Sequence, residues 1–288
     1  MEKIGTISKT KSTLKEHDFY VKKKFGQNFL VDQNTLRNIV EIPSITEDTL
    51  TIEIGPGFGS LTEHLLDKSK HVLAYEIDID LIPILRDNFQ TKKLTVLNRD
   101  FLKCDIDKDI EDLNIKYDKV VVVANLPYYI TTPIILKIIE ESSLIKEMVL
   151  MTQLEVANRL TSKPSTKDYN SLSIAIQYKT IAKIALKVPR TVFIPAPNVD
   201  SAVVKLSVIE NIEFKPKSEK LFYEIVRSSF AQRRKTLVNN IHNKYNLEKS
   251  FIIELLLELE LDPRIRAENL SVSDFIRLSD ILYAKLKK

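Results

Sequence analysis

The chain has 288 residues, 44% of them hydrophobic and 28% charged, and its formal net charge is +4. This length can bury more than one small core, so we expect a large domain with a smaller one attached. No apolar run reaches the length of a signal peptide or a membrane span, and the single cysteine, Cys104, can form no intrachain disulfide, so we expect a cytoplasmic protein that is not bound to a membrane.

Basic residues are concentrated in two parts of the sequence. Residues 1–20 are polar and rich in lysine, which predicts a flexible basic arm. Lys22, Lys23 and Lys24 follow this arm, and a later group comprises Arg227, Arg233, Arg234 and Lys235. Such clusters are typical of surfaces that bind a polyanion, although a solvated tail and a charged helix face would produce the same pattern.

The first predicted strand leads into a glycine-rich turn. Residues 50–54 have the composition of a buried strand, residues 55–60 read Gly-Pro-Gly-Phe-Gly-Ser, and a helical pattern follows. Such a turn lets the backbone approach a ligand, and the helix after it offers free amide groups. The spacing is not the G-x-G-x-x-G of dinucleotide-binding proteins, so we predict a site for another nucleoside around Gly55 and Gly57.

Acidic residues follow the next two predicted strands. The strand at 71–75 ends at Glu76, where a carboxylate can accept hydrogen bonds from both hydroxyl groups of a ribose. The strand at 94–98 leads to Asp100, which is placed to accept from the amino group of an adenine. Helix capping would explain each acid alone, but the two in register favour a nucleoside site.

A fourth predicted strand, at 119–124, ends at Asn125-Leu126-Pro127-Tyr128. In an open parallel sheet the ligand crevice lies outside the carboxyl ends of the strands, where an amide and an aromatic ring could hold a planar polar base. An ordinary strand-to-helix turn with Asn as the cap is the alternative. The position downstream of the nucleoside site favours the ligand-binding interpretation.

The rest of the chain divides into strands and then helices. Strands are predicted at 147–151, 181–188 and 202–208, and a proline-flanked loop before the last of them either presents Phe193 or uses it to cover the core. Helical periodicity follows at 217–230, 235–242, 247–259 and 272–287. We therefore predict an α/β domain at 21–208 and an all-helical domain at 209–288. No residue spacing suggests a metal site or a hydrolase triad.

Five motifs occur in one order: QNFL at 27–30, EIGPGFG at 53–59, NLPY at 125–128, FIPAPNVDS at 193–201 and QRRKTL at 232–237. In these motifs and their order, the chain resembles the ribosomal RNA adenine N6,N6-dimethyltransferases over nearly its whole length, and most closely the branch that acts on small-subunit rRNA. The resemblance implies a Rossmann-like class I methyltransferase domain, with helices on both faces of a mostly parallel seven-stranded sheet, and a smaller RNA-binding helical domain.

The resemblance also implies the roles of individual residues. S-adenosylmethionine would be the methyl donor, without a metal, and would be bound by Asn28, Leu30, Gly55, Gly57, Glu76, Asp100 and Asn125. The Asn125 side chain and the Leu126 carbonyl would hold the target amino group, while Tyr128 and Phe193 would stack on the base. The basic residues named above, Lys22, Lys23, Lys24, Arg227, Arg233, Arg234 and Lys235, would contact RNA.

The implied substrate is a pair of adjacent adenosines in a hairpin near the 3′ end of the small-subunit rRNA, presented by an immature small subunit to a monomeric enzyme. Two alternatives are the sister branch, which dimethylates large-subunit rRNA and confers macrolide resistance, and a non-catalytic RNA-binding assembly factor. Leu126, where the sister branch usually has Ile, favours the small-subunit branch. Tyr129 and Thr131 replace the Asn and Ser of many relatives and could alter the width of the pocket.

Overall fold

The computed structural model describes residues 3–20, 22 and 26–286. Lys23 and Lys24, which we predicted to contact RNA, lie outside the described residues. The chain divides into two compact units. The first contains the residues up to Ala157 together with Ile181–Val208, and the second contains Asn158–Thr180 together with the residues from Ile209 onward.

The elements up to the sixth strand are α1 (Ile7–Glu16), β1 (Phe29–Leu30), α2 (Gln33–Glu41), β2 (Thr49–Ile54), α3 (Ser60–Lys68), β3 (His71–Tyr75), α4 (Leu81–Asn88), β4 (Leu94–Leu97), α5 (Ile106–Glu111), β5 (Lys119–Asn125), α6 (Thr131–Glu141) and β6 (Ile145–Gln153). They are followed by α7 (Leu154–Thr161), α8 (Ser171–Lys179), β7 (Thr180–Val188), β8 (Phe193–Ile194), β9 (Ser201–Val208), α9 (Glu219–Ser229), α10 (Leu237–Tyr245), α11 (Lys249–Glu258) and α12 (Val272–Leu286).

A seven-stranded sheet in the order β4-β3-β2-β5-β6-β9-β7 forms the centre of the first unit. Strands β4, β3, β2, β5 and β6 pair in parallel, whereas β9 runs antiparallel to β6. The four valines at 120–123 are completely buried, as expected for a parallel strand covered on both faces. The predicted mostly parallel seven-stranded α/β fold is confirmed.

The parallel pairing sets the position of the site. Because β2, β3, β4 and β5 run in the same direction, their carboxyl ends lie along one edge of the sheet. The segments that follow these strands begin at Gly55, Glu76, Asn98 and Leu126. Residues far apart in the sequence are therefore adjacent at this edge.

Residues 3–20 do not form the predicted flexible arm. Helix α1 begins after Thr6, whose hydroxyl accepts a hydrogen bond from the Lys9 backbone N–H at 3.2 Å. Ile4 and Phe19 are buried, and the Phe19 ring packs edge-on against Phe58 with the ring centroids 5.4 Å apart. The sequence prediction was wrong here because a few apolar anchors among many lysines produce no strong periodic pattern.

The second unit is helical, with α8–α12 packed around a core that includes Phe222 and Phe275. The four predicted helices correspond to α9–α12, but the boundary at residue 208 does not match the observed units. Residues 158–180 belong with the helices, since Tyr169 and Tyr178 lie in the helical core and the Tyr169 hydroxyl donates to the Leu270 carbonyl at 2.9 Å. Within the described residues, no helix combines the length and apolar character needed to cross a membrane.

Candidate functional site

A cavity of about 350 Å³ lies at the carboxyl ends of β2–β5, inside the first unit. Its walls come from the glycine turn, the segments after β3, β4 and β5, and the residues around β1. Every residue predicted to bind the cofactor lines it: Asn28, Leu30, Gly55, Gly57, Glu76, Asp100 and Asn125. Leu126 and Tyr128 line it as well. The structure thus brings together residues from five separate segments.

The three glycines of the turn are required for different structural reasons. Gly55, Gly57 and Gly59 all have positive φ angles, of 70°, 61° and 92°, a region that side chains disfavour. A Cβ atom at Gly55 would meet no atom within 4 Å, so this position keeps the backbone open to the cavity. A Cβ at Gly59 would lie 2.2 Å from Cε2 of Phe89. The third glycine therefore allows close packing and does not face a ligand.

Glu76 is a buried carboxyl group at the end of β3, with 4% of its surface exposed. Its Oε2 accepts from the Gly57 backbone N–H at 3.2 Å, and its Oε1 accepts from the Asp78 backbone N–H at 2.8 Å. Burial raises the pKa of Glu76 to about 7, although these backbone hydrogen bonds act in the opposite direction. Its protonation is therefore balanced near neutral pH, and a ligand that donates hydrogen bonds will favour the charged form.

Glu53 is a cavity residue that the sequence analysis did not single out. It lies within β2, is 1% exposed, and its Oε2 accepts from the Thr62 hydroxyl at 2.6 Å. Burial raises the pKa of Glu53 to about 8, and the charge of Glu76 adds to this shift. The sequence does contain a signal, since a carboxyl group inside a buried strand directly before a glycine turn is unusual.

The part of the cavity wall formed at the ends of β3 and β4 combines one acid with apolar groups. Asp100 follows β4, and its Oδ1 accepts from the Leu102 backbone N–H at 3.1 Å. Phe101 is buried and packs edge-on against Tyr75, with the ring centroids 5.1 Å apart. Ile77 also lines the cavity and is 49% exposed. Apolar walls with one carboxylate suit a planar base that carries an amino group.

The NLPY turn, residues 125–128, follows β5 and holds two polar groups in place. The Asn125 side-chain Nδ2 donates to the Asn28 carbonyl at 3.1 Å, which leaves its Oδ1 as an acceptor. Leu126 is buried, and its N–H donates to the Met151 carbonyl at 3.3 Å. The Tyr128 hydroxyl is 2.8 Å from that of Ser201 in β9. This contact restrains the ring of Tyr128, which lines the same cavity as Asn125 and Leu126.

Two predicted site residues have other surroundings. Phe193 is 4% exposed, lies in β8 opposite Leu30 of β1, and belongs to a hydrophobic cluster that includes Leu36. It is not among the described residues that line the cavity, so its location does not support stacking on a base. Lys22 forms ion pairs with Asp78 and Asp80, which engage its ammonium group and raise its pKa. This does not support a phosphate contact for Lys22.

The predicted RNA-binding residues of the helical unit lie on or beside the turn between α9 and α10. Arg227, Arg234 and Lys235 are exposed, and none of the ion pairs found between described residues involves them. Arg233 differs, because its guanidinium donates to the Lys167 carbonyl at 2.9 Å and pairs with Glu268 at 3.3 Å.

Comparisons with known proteins agree on one family. The family model described as "Ribosomal RNA adenine dimethylase" matches residues 18–284. A protein named ribosomal RNA small subunit methyltransferase A from Bacillus pumilus (strain SAFR-032) is 47% identical over 287 residues, covering 98% of each chain. A protein of the same name from Geobacillus sp. (strain WCH70) is 47% identical over 283 residues, covering 97% of each chain.

Solved structures show the same similarity. A dimethyladenosine transferase from Plasmodium falciparum superposes with a TM-score of 0.75 at 28% identity, covering 90% of this chain and 98% of that one. The 23S rRNA methyltransferase ErmE superposes with a TM-score of 0.68 at 24% identity, covering 88% and 99%. At 24% identity, the similarity to ErmE shows a shared fold alone.

Proposed function

The chain belongs to the ribosomal RNA adenine dimethylase family, and from this membership we propose that it transfers methyl groups from S-adenosylmethionine to the N6 atoms of two adjacent adenosines in the 3′-terminal hairpin of small-subunit rRNA. The observation that carries the proposal is the convergence of the Gly55 turn, Glu76, Asp100 and the NLPY turn on one cavity. Each of them offers a group that suits one part of the donor or the acceptor.

The cavity fits an adenosine-based methyl donor. Its volume of about 350 Å³ lies within the range of small-molecule sites. The open space beside Gly55 leaves room for a ligand against the backbone. Glu76 can accept from the ribose hydroxyls and Asp100 from the adenine amino group. Asn28 and Leu30 would contact the donor from the β1 side.

Asn125 and Leu126 would act on the acceptor. S-adenosylmethionine supplies an electrophilic methyl group, whereas the adenine amino nitrogen is a weak nucleophile because its lone pair is delocalised into the ring. Acceptance of its two N–H bonds by the Asn125 Oδ1 and the Leu126 carbonyl would turn the lone pair toward the methyl group. Orientation and electrostatics supply the rate enhancement, and the methylated nitrogen loses its proton to water without a strong base. Stacking on Tyr128 would add about 1–3 kcal/mol.

The small-subunit branch is favoured over the large-subunit branch. The relatives named as small-subunit methyltransferases are 47% identical over nearly the full length of both chains. ErmE shares the fold at 24% identity. We propose further that the substrate is an immature small subunit, that the enzyme is monomeric and that it acts in the cytoplasm. A non-catalytic assembly factor would have no need for the set of polar groups around the cavity.

Transfer of labelled methyl groups tests the proposal directly. The protein is incubated with labelled S-adenosylmethionine and either immature small subunits or protein-free large-subunit rRNA. We expect label in the first substrate alone, recovered after digestion as N6,N6-dimethyladenosine at two adjacent positions. Label in the second alone would show the sister activity. Binding without transfer to either would show an assembly factor.

We propose that the basic turn at residues 232–235 binds the phosphate backbone through Arg234 and Lys235, with Arg227 nearby on α9. The turn is well held, because the buried Asn240 side chain donates to the Ser229 carbonyl at 2.7 Å and to the Gln232 carbonyl at 3.2 Å. Arg233 would instead join this turn to the segments around Lys167 and Glu268.

The double variant Arg234→Gln with Lys235→Gln is expected to weaken RNA binding in a salt-dependent manner. Each lost phosphate contact should reduce the slope of log K against log salt concentration by about 1. Filter binding between low and high salt measures this slope. Lys249→Gln is the matched control, because it removes an exposed cation from α11 of the same unit. An unchanged slope in the double variant would refute the proposed phosphate contacts.

A further inference from the structure

Asp78 is a buried carboxylate that has no part in the chemistry described above. It follows Glu76 by two residues and is 1% exposed. It is absent from the walls that the described residues form around the cavity. A carboxylate in such surroundings is costly unless it is paired or hydrogen-bonded. The partners of Asp78 therefore indicate what it does.

Both oxygens of Asp78 hold residues that precede β1. Its Oδ1 accepts from Nζ of Lys22, and its Oδ2 accepts from Nε2 of Gln27 at 2.9 Å. The Oε1 of Gln27 in turn accepts from the backbone N–H of Lys22 at 2.9 Å. Asp78 thus links Lys22 and Gln27 to the loop after β3, although Gln27 and Asp78 are 51 residues apart in sequence.

The next residue, Asn28, holds the amide of Asn125. Its backbone carbonyl accepts from the Asn125 Nδ2 at 3.1 Å. Because only the NH₂ end of an amide can donate to a carbonyl, this bond decides which way the Asn125 side chain faces. The Oδ1 is left as the acceptor for a ligand in the cavity. Displacement of Asn28 would remove this constraint.

Asp78 also supports the part of the cavity wall that contains Glu76. Its backbone N–H donates to Oε1 of Glu76 at 2.8 Å. The main chain of Asp78 is therefore linked to the carboxylate of Glu76, and its side chain is linked through Gln27 and Asn28 to the side-chain amide of Asn125. Of these two links the side chain serves only the second, although its Oδ1 also accepts from the Asp80 backbone N–H at 3.3 Å. An isosteric substitution therefore tests the second link with the least change to the loop after β3.

We propose that Asp78 is a positioning residue for methyl transfer, whose carboxylate, acting through Gln27 and Asn28, sets the orientation of the Asn125 amide. This inference rests on the proposed function. A variant that loosens the amide retains the cavity and the RNA contacts but misaligns the reacting groups, and a displacement of about 1 Å can cost about 10²-fold in rate.

The isosteric variant Asp78→Asn tests the proposal. It leaves one acceptor where two oxygens now accept hydrogen bonds, and removes one of the two carboxylate charges that pair with Lys22. We expect kcat for methyl transfer to fall by about 10- to 100-fold, while KM for RNA stays within about two-fold of the wild-type value. A merely structural role would change both constants together with the thermal unfolding midpoint. Binding of S-adenosylhomocysteine, measured by calorimetry, shows whether the cavity persists.

The paired exchange Gln27→Glu with Asp78→Asn provides a rescue. It restores a hydrogen bond between the two side chains with donor and acceptor reversed, and it leaves a carboxylate for Lys22. We expect the pair to recover most of the lost kcat. Gln27→Glu alone places two carboxylates side by side and should not be active at the wild-type rate.

Asp80→Asn is the matched control. Asp80 also pairs with Lys22, but its side chain is 58% exposed, so we expect wild-type kcat. A kcat for Asp78→Asn within about two-fold of wild type, or a loss that the paired exchange does not reverse, overturns the positioning role. Wild-type protein that transfers no methyl group to small-subunit RNA would overturn the proposed function, and this inference with it.

Discussion

Replacement of Asn125 with alanine is expected to reduce methyl transfer by at least about 10²–10³-fold, the usual cost of removing one preorganised polar group from a reacting centre. The Asn125 Oδ1 is one of only two acceptors proposed for the target amino group, and its Nδ2 is already bonded to the Asn28 carbonyl. Single-turnover transfer of labelled methyl groups, with RNA and cofactor saturating, measures the chemical step.

RNA binding by Asn125→Ala should remain within about three-fold of wild type, since the proposed phosphate contacts lie in the helical unit. Asn125→Asp is the informative companion variant, because it keeps an acceptor in place but cannot donate to the Asn28 carbonyl. We expect it to be impaired as well, which would show that orientation of the side chain matters in addition to its oxygen. Retention of a tenth or more of the wild-type rate by Asn125→Ala would contradict the assigned role.

The site residues that could be predicted from sequence are those marked by a local pattern. Gly55, Glu76 and Asn125 follow directly after an apolar run that reads as a strand, Asp100 follows such a run within three residues, and parallel pairing then places them at one edge. Their separation in sequence does not matter, because the pairing of parallel strands brings them together. For such residues, the order of the predicted strands along the chain is sufficient to predict their place in the site.

Residues whose role depends on a distant partner could not be predicted in this way. Phe193 is buried because β8 pairs with β1, more than 160 residues earlier in the chain. Lys22 lies in a basic run that resembles a phosphate-binding segment, but its partner Asp78 is 56 residues away. Nothing in the composition of either neighbourhood reveals the pairing.

The domain boundary shows the same limit. Residues 158–180 follow strand β6 and end at the first residue of β7, so chain order alone assigns them to the α/β domain. Their apolar side chains, such as Ile174, pack instead with helices that begin after residue 209. A segment of the helical unit is thus inserted in the sequence of the sheet unit, and the three-dimensional contacts are needed to detect it.

The carboxyl groups of the cavity add a property that composition does not show. Glu53 and Glu76 are both buried and both have raised pKa values, of about 8 and about 7. When two such groups lie close together, ionisation of both is unfavourable because the carboxylates repel each other. A positively charged ligand would reduce this repulsion. The sulfonium group of the proposed methyl donor carries a charge of this sign.

Glu76→Ala is expected to weaken the binding of S-adenosylmethionine by about 10²–10⁴-fold. Two hydrogen bonds from ribose hydroxyls to a carboxylate contribute about 1.5–3 kcal/mol each, and about 1.4 kcal/mol corresponds to a factor of ten. Isothermal titration calorimetry measures the dissociation constant. A 2′-deoxyribose analogue should bind the wild type more weakly than the natural donor, whereas Glu76→Ala should bind the two about equally, because the 2′-hydroxyl then has no carboxylate to donate to. Tight binding of the natural donor to this variant would show that the ribose lies elsewhere.

The pH dependence of binding tests the same assignment through its sign. The ligand requires the ionised carboxyl group, and the pKa of Glu76 in the free protein is about 7, so binding releases a proton at acidic pH. Affinity should therefore fall by about tenfold from pH 8 to pH 6, and by about a further tenfold for each pH unit below that. Glu76→Gln should lose this dependence, and Glu53→Gln should retain it, while the amino group of the ligand titrates alike in all three proteins. A pH profile unchanged in Glu76→Gln would assign the titration to another group and refute the role of Glu76.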